Sequence, residues 1–316
     1  MSGASTESTI QLSEQDLRRQ KGYWARFRRR EFVAALLFMA PNLIGFIVFV
    51  AGPMVASLVI SFFEWTMVGD PSFTGLTNYR RLFTQDDLFP KVLANTAYFV
   101  GAYVSINVVF AMFMALWLTK REKFSGFYRV VFFMPVVFPV VAVAMIWKLL
   151  YLPDAGLVNA PIRWITGEGI RWLADPDFAM LAIVIMSVWL GFGYNMVIFI
   201  AALKGVPDDH LDAAQLDGAN AWQTFWHVKM PAVSPAIFFG TVMTVITSFQ
   251  VFDQTYVLTG GSPVNATNTI VLYMYQQGFE YFRMGYSSAI AWVLFAIIFV
   301  ATLLQHRIQN RWVHYE

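Results

Sequence analysis

The chain has 316 residues, of which 58% are hydrophobic and 13% charged, with 30 Phe, 11 Trp and a formal net charge of +2. An ordinary soluble domain is about 45–50% apolar, so this composition excludes a simple soluble fold. The absence of cysteine excludes a disulfide framework, a thiolate metal site and a cysteine nucleophile, and the small net charge, sorted along the chain, forms no nucleic-acid face.

Residues 1–20 are polar and rich in Ser, Thr and Gln, and read as a disordered or loosely helical tail. From Lys21 to Arg30, arginines alternate with Tyr23, Trp24 and Phe27. That stretch reads as a positive-inside orientation signal, with a short helix on an anionic leaflet as the alternative. The first apolar run, at about 34–62, is roughly twice as long as the h-region of a cleavable signal and has no small-residue cleavage site after it, so it is expected to remain as an anchor.

Five more charge-poor stretches follow, at about 96–118, 130–151, 178–203, 234–259 and 284–305. A helical crossing needs about 20 mostly apolar residues. The expected fold is therefore all-α and polytopic, with six transmembrane helices, a tail over 1–31 and a membrane domain over 32–316. Only Lys148 and Asp253 are ionisable inside these spans, both near the ends assigned to the outside. Pro41 and Pro53 in the first span, and Pro135 and Pro139 in the third, remove backbone donors and predict kinks or breaks. Loops after the first, third and fifth spans are rich in Gly, Pro, Asp and aromatic residues, and Trp65, Trp164 and Trp172 suit an interfacial belt.

Lys and Arg are retained on the cytoplasmic side of short loops. Arg18 to Arg30, then Lys120, Arg121, Lys123 and Arg129, then Lys204, Lys229, Arg307 and Arg311 place 15 of the 22 on one side. Both termini are expected to be cytoplasmic.

The connection between spans four and five, 205–232, is too long for a plain turn and reads as two short helices. Pro207 and Asp208 open the first, Asp209 and Asp212 lie in its early turns, and Gly218 closes it in a left-handed conformation. Asn220 caps the second, Gln223 completes a capping box, and Pro231 is expected to end it. Leu211, Ala214, Ala219, Trp222, Phe225, Trp226 and Val228 supply apolar surface that something should cover.

The run Asp212-Ala213-Ala214-Gln215-Leu216-Asp217-Gly218-Ala219, with Phe225 and Met230-Pro231, resembles the EAA loop of binding-protein-dependent ABC importers. In that family the loop is a coupling helix that docks on an ATPase subunit. The resemblance thus implies ATPase-coupling roles for Asp212, Ala213, Ala214, Asp217, Gly218, Ala219 and Pro231, with Asp212 standing where the family commonly has Glu. Phe73-Thr74-Gly75-Leu76-Thr77-Asn78-Tyr79 resembles a loop pattern of the maltose-type sugar permeases. So do Gly126, Arg129, Pro135, Pro139 and Trp147, as well as Phe252-Asp253 with Thr259-Gly260-Gly261-Ser262-Pro263.

The partners the resemblance implies are a second homologous permease, two copies of a cytoplasmic ATPase subunit holding ATP and Mg, and an external solute-binding protein. The implied location is a bacterial-type inner membrane. Carried over by position, substrate contacts fall on Leu190, Gly191 and Tyr194 and on Thr244, Ser248 and Val251, with Asn195 and Gln250 as nearby polar candidates. The spacings of four and three put Thr244, Ser248 and Val251 on one helical face. Gly191 and Gly193 would let a ligand approach the backbone, and Tyr194 offers a ring and a hydroxyl. Small and hydroxyl residues at such spacing equally serve helix packing.

An ATP-independent transporter or channel is the alternative, and would show paired acidic residues or inverted halves within the membrane. An enzyme is disfavoured, because His210, His227, His306 and His314 lack metal-ligand spacing and no G-x-S-x-G is present, so no catalytic or metal set is expected. No Gly-Lys dipeptide occurs, so ATP is expected to bind a separate subunit. The neutral mid-membrane candidates favour an uncharged sugar over a phosphorylated one.

Overall fold

The computed structural model describes residues 31–67, 69–119 and 125–309. They are almost wholly helical; β1 (Phe63–Glu64) and β2 (Ser72–Phe73) form a two-residue antiparallel pair. The tail stretch 21–30 and the basic residues Lys120, Arg121, Lys123 and Arg311 lie outside the described residues. The chain divides into two compact units, one closing at Val59 and the other starting at Ile60.

Helix α1 (Glu31–Ile60) belongs to the first unit up to Val59. Neither Pro41 nor Pro53 breaks it. Pro53 offers no N–H, and just before it Ile47–Ala51 widen into a π turn in which the Gly52 N–H reaches the Ile47 carbonyl. The wider turn takes up the proline without ending the helix.

The second unit contains α2 (Thr77–Thr84), α3 (Phe89–Thr119), α4 (Ser125–Val137), α5 (Val140–Leu150), α6 (Ala160–Thr166), α7 (Pro176–Lys204) and α8 (Asp208–Leu216). It continues through α9 (Ala221–Phe249), α10 (Asp253–Leu258), α11 (Ile270–Tyr275) and α12 (Met284–Gln309). Helices α1, α3, α7, α9 and α12 are long and apolar enough to cross a membrane, and α4 with α5 makes a sixth when the bent pair is counted as one. The pair bends by 99°. Pro135 stays inside α4, whereas Pro139 caps α5 with φ −58 and ψ 125, so the break falls at the second proline alone.

Helix α7 is the centre of this unit, with 67% of its apolar window buried. Its start is fixed by the Asp175 carboxylate, which accepts the Asp177 N–H, and by Pro176 in the first turn. Gly193 lets α4 close on it: a Cβ there would stand 2.5 Å from the Phe132 carbonyl oxygen. Ala111, Leu118, Phe192, Met196, Phe199 and Ile237 then join α3, α7 and α9 in one core. Within lipid such contacts act through close packing, since the tails are as apolar as the side chains.

Two polar hubs fix the loops. Asp86 Oδ1 accepts the N–H groups of Leu88 (3.0 Å) and Phe89 (3.1 Å) at the start of α3, while Oδ2 accepts the hydroxyls of Tyr273 and Tyr286. Burial first, and Asp86 second, push the Tyr273 phenol well above its ordinary range, so it stays protonated and donating. The other hub is Asn159, fully buried between α5 and α7.

The fifth span ends earlier than its composition suggests. Helix α9 stops at Phe249, not near 259, and the Val251 carbonyl is taken by the Thr269 hydroxyl at 3.1 Å instead of by a continuing helix. Asp253 therefore lies outside the span, as the first residue of α10, where the helix dipole favours a negative charge.

Candidate functional site

The α8–α9 connection is built from local capping. Gly218 has φ +78°, its N–H bonds the Gln215 carbonyl (3.0 Å), and the Ala219 N–H bonds that of Ala214 (2.9 Å). This is the Schellman arrangement that closes a helix on glycine. Asn220 Oδ1 then accepts the N–H groups of Trp222 (3.1 Å) and Gln223 (2.9 Å), and Gln223 Oε1 accepts the Asn220 N–H (2.9 Å), a complete capping box.

Pro231 does not end the second helix. A π turn over Phe225–Lys229, closed by the Met230 N–H on the Phe225 carbonyl, carries the chain past the proline into the membrane-spanning part of α9. The apolar surface of the loop is only partly open. Leu211 and Val228 pack against the α3–α7–α9 core, whereas Leu216, Trp222 and Trp226 are exposed, Leu216 by 89%. Asp212, Ala213 and Asp217 are also exposed, and Ala214 and Ala219 partly so. Beside them lies a hollow of about 920 Å³, bordered by His210, Ala213, Ala214, Asp217, His227 and Pro231.

The polar residues of spans four and five part into two groups. Asn195 Nδ2 donates to Asn107 Oδ1 (2.7 Å) and Thr244 Oγ1 (2.8 Å), and Thr244 donates to the Gly240 carbonyl (2.6 Å). Ser248 donates to the Val245 carbonyl at 2.8 Å. These side chains are buried, and the first three clasp α3, α7 and α9 together. Tyr194 is 45% exposed, and Val197, one turn further on, is 40% exposed; one residue along a helix turns the side chain by about 100°, which separates Tyr194 from Asn195.

Two expectations need correction. Val251 does not share the helical face of Thr244 and Ser248, because α9 has already ended; it packs with Leu190 in an apolar cluster. Gly191 and Gly193 leave no room for a ligand, since the Tyr103 hydroxyl fills the space beside Gly191 and the Phe132 carbonyl that beside Gly193. Asn107, Tyr103 and Asp86 were not singled out by sequence, although an asparagine inside an apolar run, as in Ile106-Asn107-Val108, is a signal for an interhelical hydrogen bond.

Residues 107–314 match the family described as binding-protein-dependent transport system inner membrane component. Among curated relatives, a probable ABC transporter permease protein, YesP of Bacillus subtilis, is 36% identical over 296 residues, covering 92% of this chain and 95% of its own length. The arabinooligosaccharides transport system permease protein AraP of Halalkalibacterium halodurans is 33% identical over 282 residues, covering 88% of each chain. A chain of a bacterial alginate ABC transporter, solved with an alginate pentasaccharide-bound periplasmic protein, superposes with TM-score 0.78 at 20% identity, over 91% of this chain and 97% of that one.

Proposed function

The chain belongs to the family of binding-protein-dependent transport system inner membrane components, and we propose that within it the chain passes a sugar or short oligosaccharide across the membrane. It is a multi-pass permease subunit of an ABC importer. A second homologous permease completes the path, two copies of an ATPase subunit bind ATP and Mg on the cytoplasmic side, and an external binding protein delivers the solute. Residues 32–316 act as the transmembrane domain of an inner membrane, with both termini cytoplasmic. The sugar assignment is supported by relatives such as the arabinooligosaccharide permease.

The observation that carries the ATPase assignment is the α8–α9 loop. A helix closed on a left-handed glycine leads through a capping box into a helix that continues directly into the membrane, and exposed Leu216, Trp222 and Trp226 offer apolar surface to a partner. Asp212, Ala213, Ala214, Asp217, Gly218, Ala219 and Pro231 form or border that surface, and a second subunit seated there would cover it. Purification with neighbouring subunits should yield one copy of this chain, one of a second permease and two of the ATPase; a transport-competent homodimer of this chain would contradict the pairing.

Among the substrate candidates, Tyr194 has the open side chain, while Leu190, Asn195, Thr244, Ser248 and Val251 shape the path from behind, and Gly191 seats Tyr103. Tyr194→Ala is expected to lower uptake about tenfold, the value of one lost hydrogen bond or ring contact, with assembly unchanged. Unaltered uptake kinetics in reconstituted vesicles would remove Tyr194 from the path.

A further inference from the structure

Between α5 and α7 runs a groove of about 350 Å³, bordered by none of the residues assigned above to ATPase coupling or to the solute. We propose that it is a lipid site, which holds one acyl chain of a membrane phospholipid against the bent third span. The inference is independent of which solute is carried.

The groove follows from the break at Pro139. The third span bends there by 99°, and α5 then meets the rest of the unit with only Val143 and Ala144 of its eleven residues buried. Phe138, Ala142, Ile146 and Leu150, each four residues from the next, form one wall along the helix. Trp189 of α7 forms the other, its ring set edge-on to that of Trp147 with centroids 5.8 Å apart. The bent helix thus stands off α7 by a space that its own side chains do not fill. Atoms that line an empty space lose their contacts on one side, so an occupant of matching chemistry is held.

That chemistry is hydrocarbon. Apart from the indole N–H groups of Trp147 and Trp189, no lining side chain can hydrogen-bond, so the groove offers a polar solute nothing. It also lacks the character of a helix seat. Membrane helices approach one another over Gly, Ala, Ser and Thr, and Ala142 is the one such residue in the lining, among Phe138, Ile146, Leu150 and two tryptophans.

A lipid tail fits in length and in access. The eleven residues of α5 extend about 16 Å at 1.5 Å per residue, and one tail reaches across half of a hydrocarbon core of about 30 Å. Phe138, Ile146 and Trp189 are exposed at the edges of the groove, and Met145 and Leu149 are exposed on the next strip of α5. The groove therefore opens onto a continuous apolar surface of a membrane-spanning segment, from which a tail can enter sideways.

The test uses the assembled importer, with its second permease and its ATPase, in vesicles of phosphatidylethanolamine and phosphatidylglycerol. A fraction of the phosphatidylethanolamine carries a diazirine midway along one tail, and after illumination the adducts on this chain are located by mass. Ala142 and Ile146, inside the groove, are expected to carry about tenfold more adduct than Val141 and Met145, which are exposed but turned away from it. Ala142→Phe places a ring in the groove and should bring Ile146 down to the level of Met145, with subunit assembly unchanged. The intact wild-type complex should also retain phospholipid in mild detergent that the Ala142→Phe complex loses.

Equal adducts on the two sides of α5 would mean bulk lipid and no site. Adducts on Val141 and Met145 with none on Ala142 and Ile146 would mean that another subunit covers the groove. Adducts on Ile146 undiminished in an assembled Ala142→Phe complex would place the tail elsewhere. Each of these overturns the proposal, and the comparison of the two sides in the wild-type complex decides it even where the variant fails to assemble.

Discussion

Gly218→Val is expected to cut ATP-driven uptake at least about tenfold and to loosen the ATPase subunit, while the chain still inserts in the membrane. The residue sits at φ +78°, and nothing lies within 4 Å of where a Cβ would be. The substitution therefore meets no steric neighbour, and its whole cost is backbone strain of about 1–3 kcal/mol, enough to turn the end of α8 away from Asn220. Because the cause is conformational, side chains should rank by tolerance of the left-handed region. Gly218→Asn should keep most of the uptake, Gly218→Ala less, and Gly218→Val least. Asp212→Glu, on an exposed position of α8, should be tolerated. Uptake by reconstituted vesicles and retention of the ATPase on an affinity column check both arms. Wild-type behaviour of the valine variant would detach this loop from coupling and bring forward an ATP-independent transporter.

Asn159→Ala is expected to produce the largest loss of stability. Its Nδ2 donates to the carbonyls of Leu152 (3.0 Å), Ile170 (3.0 Å) and Tyr151 (3.4 Å), and its Oδ1 accepts the Ile170 N–H (3.0 Å) and the Trp172 indole N–H (3.1 Å). The residue is 0% exposed, so removing the amide strands several polar groups away from water. Each buried orphan costs about 1–3 kcal/mol, and a total of roughly 3–5 kcal/mol is expected after partial relaxation. Asn159→Asp keeps the acceptors but not the donors and should fall between. The measurement is the unfolding temperature of the detergent-solubilised subunit, followed by Trp172 and its neighbours in fluorescence. An unchanged midpoint for the alanine variant would mean that the loop between α5 and α7 is held by its apolar contacts alone.

What the sequence could disclose depended on how far each signal reaches along the chain. The Gly218 closure and the Asn220–Gln223 box were legible because every bond in them spans five residues or fewer. Asn159 was not legible: its partners reach to Ile170 and Trp172 across a loop, and no spacing rule singles it out. Neither was the Asn107–Asn195–Thr244 clasp, whose members lie 88 and 49 residues apart.

Hydropathy likewise ran on through Val251, Phe252, Val257 and Leu258, so the fifth span looked as if it ended later than α9 does. What takes up the carbonyl beyond its end is a hydroxyl 18 residues downstream of Val251, on Thr269. Proline signals were ambiguous for a physical reason. Pro139 breaks its helix, while Pro53 and Pro231 each follow a π turn that lets the helix run on. A missing N–H alone does not decide which outcome occurs.

The π turn over Phe225–Lys229 also bears on how such a subunit can change over evolutionary time. In a regular helix, gaining or losing one residue rotates everything beyond it by about 100°, which would swing Thr244 out of its clasp with Asn195. A turn that already holds one residue more than an α turn can give that residue up, returning to ordinary geometry while the stretches on both sides keep their facing. The segment before Met230 can therefore vary in length by one residue to suit a different ATPase without re-aiming the membrane half, so docking and solute choice can drift as separate traits.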